Sequence, residues 1–459
     1  MSGYLSPASV LTACVVLASL VALRNWRWGI ALGLLIGIVQ DPIRKITPGT
    51  PGLMAVSSAP IWIAVLLSCL VARPRNVLGF RRAFPQVATW MLLLLICLIP
   101  ATLQVFKLGP SVWQLALIGI YGYMCPLGAI VVGAIAVRSP RDLRRLLLFY
   151  LVVTGVFLVG VILEYHGGFS GWRTLGTWAL GANWDRHDRG YSFGLMTGFY
   201  RAPDLMSWHA ATVVILSLTL ALQARRARVI PLLGLAAFGA ICLLLGGRRK
   251  MVMMPVIWLA VMLLSLTRQG RISRLLGLGG AAAVASVAIA IGSQEIGVAE
   301  GYYVYAGSAR EDAAERILQT FRKVWQAYDE YGVTGLGIGT ATQGSRYLGL
   351  PFQLFYEGGL DKTMVELGAF GLFCALGLVV RLVTTLGRQL RLQKGHPAPI
   401  LHLGLAGLIA GNAASYFISH QAYGDSVVMF GTGMTIGLAL SGAHWRHRFE
   451  AGEEVRRAG

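Results

Sequence analysis

MSWHAATVVILSLTLALQ (206–223), IPLLGLAAFGAICLLL (230–245) and MVMMPVIWLAVMLLSLT (251–267) follow one another with only ARRARV and GGRRK between them. Each run is close to the length at which a helix crosses a hydrocarbon core of about 30 Å. Each connection has room for a turn and nothing more. The same reading applies at 6–23, 53–72, 87–105, 112–137, 146–164, 275–292, 362–380, 400–418 and 426–443, which makes twelve candidate spans. A shorter run, 29–40 (GIALGLLIGIVQ), is either a thirteenth, tight crossing or a re-entrant piece. Hydrophobic residues are 56% of the 459 positions and charged residues 13%, a balance that a water-soluble surface of this size does not tolerate. The expected fold is all-α: a polytopic transmembrane bundle of 12–13 spans forming a single integral membrane domain over 1–459. The run Val10–Leu23 follows no basic region and precedes no small-residue cleavage site, so it reads as a retained span. All six cysteines fall inside apolar runs, and none reads as a metal cluster or an exported disulfide.

A net charge of +20 would suggest nucleic acid in a soluble protein, but here Lys and Arg report topology first. The connections 24–28, 73–86, 138–145, 224–229, 268–274 and 381–399 and the tail from His444 carry 24 of the 40 Lys and Arg, and are assigned to the cytoplasm. The alternate connections include the two longest loops, 165–205 and 293–361, which are then extracytoplasmic. Nucleic acid is not expected as a partner.

The informative cations are those this rule leaves over. Arg248, Arg249 and Lys250 stand in the turn Gly246–Lys250 on the outward side, where clustered cations suit an anionic group such as a diphosphate; headgroup snorkelling is the structural alternative. The first loop intersperses Trp, Tyr and Phe with Arg173, Arg186, Arg189 and Arg201. That combination suits sugar faces and anionic carriers, and equally an interfacial aromatic belt. His209, one turn into the next span, reads more readily as a packing histidine than as a catalyst.

In the second loop, Ser308 and Glu311 have capping-box spacing, and Ile317, Phe321, Val324, Trp325 and Tyr328 recur at helical intervals. An amphipathic helix near 309–331 is expected, with Arg310, Arg316, Arg322 and Lys323 on its other face. It would lie on the outer membrane surface or cap the bundle. GLGIGTATQGSRYLG (335–349) follows as a Gly-rich turn able to offer amides to an anion, with no Walker lysine. Glu357, at the mouth of the next span, is a candidate general base, or else half of a structural ion pair.

Three of these segments together resemble the O-antigen ligase and polysaccharide polymerase superfamily of membrane glycosyltransferases. GGRRK looks like the family's Gly/Ser-Arg turn. Glu315-Arg316 through GLGIGT is similar to its arginine-bearing periplasmic helix followed by a Gly-x-Gly-x-Gly turn. Glu366-Leu367-Gly368 matches its Glu-Leu-Gly motif, with Glu357 nine residues back where the ligases carry histidine. The resemblance implies transfer of an undecaprenyl-diphosphate-linked oligosaccharide to a glycan or lipid-linked acceptor at the periplasmic face of the bacterial inner membrane, without metal or cofactor and with other polysaccharide assembly proteins as further partners. Under it, Arg248 or Arg249 and Arg316 hold the donor diphosphate, with Glu357 standing in the place of the base. The catalytic candidates are thus Arg249, Arg316 and Glu357; Arg248, Lys250, Arg201, Arg322, Arg310 and His209 are the substrate-binding candidates read from the loops and their outward cations. A lipid-linked glycan flippase and a non-catalytic assembly scaffold are the alternatives. The flippase is disfavoured by span centres almost bare of ionisable residues, because Glu164 and Glu366 lie near span ends.

Overall fold

The structure, a computed structural model, describes residues 6–49, 51–109, 112–167, 175, 184–224, 226–268, 272–308, 313–342, 356–392 and 399–442. Among these are sixteen α-helices and one two-stranded hairpin. In chain order they are α1 Pro7–Arg24, α2 Trp26–Ile46, α3 Ala59–Leu66, α4 Pro74–Ala83, α5 Pro85–Val105, α6 Trp113–Ala136 and α7 Pro140–Tyr165. The hairpin β1 Asp185–Asp188 and β2 Tyr191–Gly194 comes next. After it run α8 Pro203–Ala221, α9 Arg226–Leu245, α10 Arg249–Arg268, α11 Ile272–Ile296, α12 Glu300–Gly307, α13 Ala313–Tyr331, α14 Gly359–Leu392, α15 Pro399–Ile418 and α16 Ser426–Leu440. Eleven helical segments are long and apolar enough to cross a membrane, and α16 is a shorter apolar helix. The chain is an integral membrane protein, and each of the twelve long apolar runs is helical. Helices are the expected solution because a lipid-embedded backbone must satisfy its own N–H and C=O groups. The run 29–40 lies inside the 21 residues of α2, a helix that is not among those eleven.

Proline opens α1, α4, α5 and α8 at the first turn, where its missing N–H is no loss. Asn25 and Asp425 cap α2 and α16 through their side chains.

The chain divides into two compact units. The first comprises 1–65, 140–312 and 403–414, and its centre is α8, every residue of which is buried. The helices α7, α9 and α10 pack around it. Trp208 donates its indole N–H to Asn412 Oδ1 at 2.7 Å. The first long loop is not wholly irregular: Asp185–Gly194 folds back as a hairpin. Its turn places Arg189 and Gly190 at φ 51° and 83°, the two positive angles of a type I′ turn.

The second unit comprises 66–139, 313–402 and 415–459. In it α6 and α16 cross through glycine. A Cβ built at Gly437 would stand 2.1 Å from Ile130 O, and one at Gly433 would stand 2.2 Å from Pro126 O. Small residues of this kind let helix backbones approach in lipid. Gly437→Ala is expected to cost about 2 kcal/mol by overpacking, seen as a lower thermal midpoint in detergent. Gly279→Ala, where nothing lies within 4 Å, is the control and leaves the midpoint unchanged or raises it through the better helix propensity of Ala.

Candidate functional site

In the first unit the GGRRK turn is tied down by internal partners. Gly246 lies so close to α8 that a Cβ would meet Ser207 Oγ at 2.1 Å, and Gly247 has φ 55°, so both positions call for glycine. The turn then aims Arg248 and Lys250 at one carboxylate. Arg248 Nη2 is 2.9 Å from Asp204 Oδ2, and Lys250 Nζ is 2.7 Å from Asp204 Oδ1. Asp204 lies in the first turn of α8, where helix dipoles favour negative charge. Trp184 stacks on the Arg248 guanidinium at 5.1 Å. Arg249 points elsewhere: it lies 4.5 Å over the Tyr305 ring and donates to Ser308 Oγ at 2.8 Å. Ser308 is the C-cap of α12, with its hydroxyl donating to Tyr305 O. It therefore closes the helix before the one it was expected to open; Glu311 and Arg310 lie outside the described residues.

Arg201 is also engaged, 3.3 Å from Asp41 Oδ1 and 3.2 Å from Ala55 O. His209 is buried, stacked between the Tyr150 and Tyr200 rings, with Nδ1 2.9 Å from the Tyr150 hydroxyl, the packing arrangement favoured by its sequence. The loop aromatics in view build an inner packing cluster rather than an open platform. Phe193 meets Tyr302 and Tyr305 at 4.6 and 5.5 Å, and all three are buried. Burial raises the Tyr302 phenol above its ordinary range. Lys45, which sequence reading passed over, donates to Leu175 O, Thr197 Oγ1 and Gly198 O, while Glu164 accepts from the Thr197 and Gly198 amides. Together they pin the end of the first loop.

The second unit brings two predicted residues to one place. An open cleft is lined by Arg316, Gln319, Thr320 and Lys323 of α13 and by Glu357, Gly358, Asp361 and Ile418. On a helix the first four fall at i, i+3, i+4 and i+7, one continuous face. Arg322 is exposed on another face of α13.

Across from these cations the segment 357–358 is held rigidly. The His420 amide donates to Glu357 O at 2.7 Å. Its ring Nδ1 is 3.0 Å from Glu357 O and 3.3 Å from Gly358 O. Both ring partners are carbonyl oxygens, which assigns the proton to Nδ1. Asp361 accepts from the Gly358 and Lys362 amides. A Cβ at Gly359 would strike the Tyr416 ring and one at Gly358 would fall 2.6 Å from Asp361 Oδ1, so both positions call for glycine. The Glu357 side chain remains exposed. Beside the cleft, Tyr331 and Tyr356 share Glu330; burial, then that carboxylate, raise both phenols above their ordinary range.

The glycine turn beyond α13 has a different task from the one its amides suggested. Leu336 N donates to Val365 O, and Ile338 N donates to Ala101 O, so those amides are spent on α14 and α5. Gly335, Gly337 and Gly339 all have positive φ, and Cβ atoms there would strike Gly368 N, Val105 N and Leu115 O. Glu366 completes the closure: Oε1 accepts from Ala341 N at 3.1 Å, and Oε2 from Tyr123 and Lys362 at 2.8 and 2.7 Å. The Glu-Leu-Gly segment therefore clamps the glycine turn, with Gly368 (φ 69°) interrupting α14 where it meets Val333.

Lys323 and Asp361 line the cleft and His420 holds the backbone of Glu357 and Gly358 beside it, roles the sequence did not disclose. The i to i+7 face was the available signal for Lys323; nothing local marks His420. Among the described residues, no three of His, Cys, Asp and Glu are grouped to hold a metal ion. The fold defines a polytopic, all-α integral membrane protein. The chain matches no protein-family model and no curated protein.

Proposed function

We propose that this protein is a membrane glycosyltransferase that polymerises or ligates a polysaccharide carried on a polyprenyl diphosphate, at the extracytoplasmic face of the bacterial inner membrane. The observation that carries the reading is the meeting of Arg316, Lys323 and Glu357 in one cleft beside the ends of two spans. Arg316 and Lys323 hold the diphosphate and offset the charge that grows on it as it leaves, the role for which fixed cations are best suited. Glu357 accepts the proton of the attacking hydroxyl. The acceptor oxygen bonds to the anomeric carbon, the bond from that carbon to the carrier phosphate breaks, and its electron pair departs with the diphosphate; the sugar inverts. The proton passes from Glu357 to water or to the released diphosphate. Gln319 and Thr320 offer hydrogen bonds to sugar hydroxyls.

The test is the size distribution of surface polysaccharide in a deletion strain complemented with wild type, Arg316→Ala or Glu357→Gln. Each variant is expected to lower polymer output by about 10²-fold or more at unchanged protein level in the membrane. Single repeat units left on the carrier identify a polymerase; finished polymer left on the carrier identifies a ligase. Variants that behave as wild type sink the reading.

A second reading, a lipid-linked glycan transporter, draws on the buried Lys362–Glu366 pair and the break in α14 at Gly368, features common where substrates pass. It is the weaker reading because three internal donors already occupy the Glu366 oxygens. Translocation of a labelled lipid-linked glycan in proteoliposomes, lost on Glu366→Gln, would favour it.

A further inference from the structure

The helix α13 carries an apolar stripe that the described residues leave largely exposed. Leu318, Phe321 and Trp325 are 58%, 56% and 66% exposed, and Ile317 and Tyr328 flank them. The opposite side is occupied: Thr320 and Ala327 are buried, and α13 packs on α14. Large side chains left in water forfeit roughly 1.5–3 kcal/mol each, so three of them need a covering.

The neighbours of α13 identify the cover. The Phe321 ring lies 5.7 Å from that of Phe417, next to the last residue of the span Ile400–Ile418, and Ile418 itself lines the cleft with Thr320 and Lys323. Gly358 and Asp361, also in the cleft, stand where the span Gly359–Arg391 begins. One span begins and the one that follows it in the chain ends beside this helix, so α13 sits level with two span ends, where hydrocarbon gives way to headgroups.

We propose that α13 is an interfacial helix seated in the phospholipid leaflet, with Leu318, Phe321 and Trp325 among the acyl chains. Trp325 suits that depth, its ring apolar in body and polar at the N–H. Arg322, three residues before Trp325, reaches up to headgroup phosphates. Lys323 and Trp325, two residues apart, point about 200° away from each other. The cleft therefore opens on the headgroup side while the stripe faces lipid, so it meets a phosphate borne on a membrane lipid at that phosphate's own depth. This last step deepens the transferase reading, whereas the seating of α13 is independent of it.

The test uses the full chain in nanodiscs of phosphatidylethanolamine and phosphatidylglycerol, with nitroxide labels on Leu318→Cys, Trp325→Cys or Gln326→Cys. Cys14, the one exposed cysteine among the six, is replaced by Ser. Labels at 318 and 325 are expected to collide with oxygen several-fold more than with a water-soluble nickel chelate, and the label at 326 to show the reverse preference. Equal nickel access at 325 and 326 overturns the proposal. So does a label at 318 or 325 that neither reagent reaches, since protein would then cover the stripe. Both readouts are independent of polymer synthesis, so the proposal stands or falls apart from the assigned activity.

Discussion

Replacing Glu366 by Leu is expected to lower the stability of the protein by about 3–5 kcal/mol, the cost of breaking a buried ion pair by removing one partner. Glu366 has no exposed surface. Its loss strands Lys362, which has only 11% of its side chain exposed, and leaves the Ala341 N–H and the Tyr123 hydroxyl without their acceptor. A buried donor left unsatisfied costs about 1–3 kcal/mol in its own right. The damage travels, because Ala341 ends the glycine turn and the first turn of α14 carries Asp361 to the cleft. The double substitution Glu366→Leu, Lys362→Met should be less harmful than Glu366→Leu alone, since it removes the orphaned charge together with its partner. Thermal midpoints of the three proteins in one detergent measure the coupling. Additive losses would show that Lys362 draws its stability from another group.

The spans were legible because in lipid length and apolarity alone decide, and neither depends on distant residues. The hairpin was not legible: DRHD has no apolar alternation, and only the Gly at 190 hinted at its turn. Asp204 was visible as a residue but not as a partner, because nothing local in GGRRK says that a carboxylate at the start of α8 will reach it. The sequence offered the amides of GLGIGT as free donors, whereas Val365 and Ala101 claim two of them. Pairings between distant segments are the information that a single chain read in order does not carry. Arg316 and Glu357, which line one cleft, could be singled out as candidates because the helical face and the span mouth are both local features. Their joining through Lys323 needed α13 to be folded against α14.

Asp204→Ala puts the two readings of the GGRRK turn in opposition. Arg248 and Lys250 have 8% and 10% of their side chains exposed and share this one carboxylate, so its removal should cost about 3–5 kcal/mol, more than loss of either cation alone. The variant then holds two buried cations around an empty acceptor, which is itself an anion site. Phosphate or sulfate at tens of millimolar is expected to raise its thermal midpoint, because a ligand that binds only the folded state stabilises it by mass action. Wild type should gain much less, its internal carboxylate already filling the place of the anion. If phosphate stabilises wild type as strongly as the variant, the turn grips an external anion while Asp204 remains in place, and Arg248 and Lys250 join the groups proposed to bind the diphosphate. If it stabilises the variant alone, their charge serves to fasten α10 to α8, and the cations left to meet a diphosphate in the described residues are chiefly those of the α13 cleft.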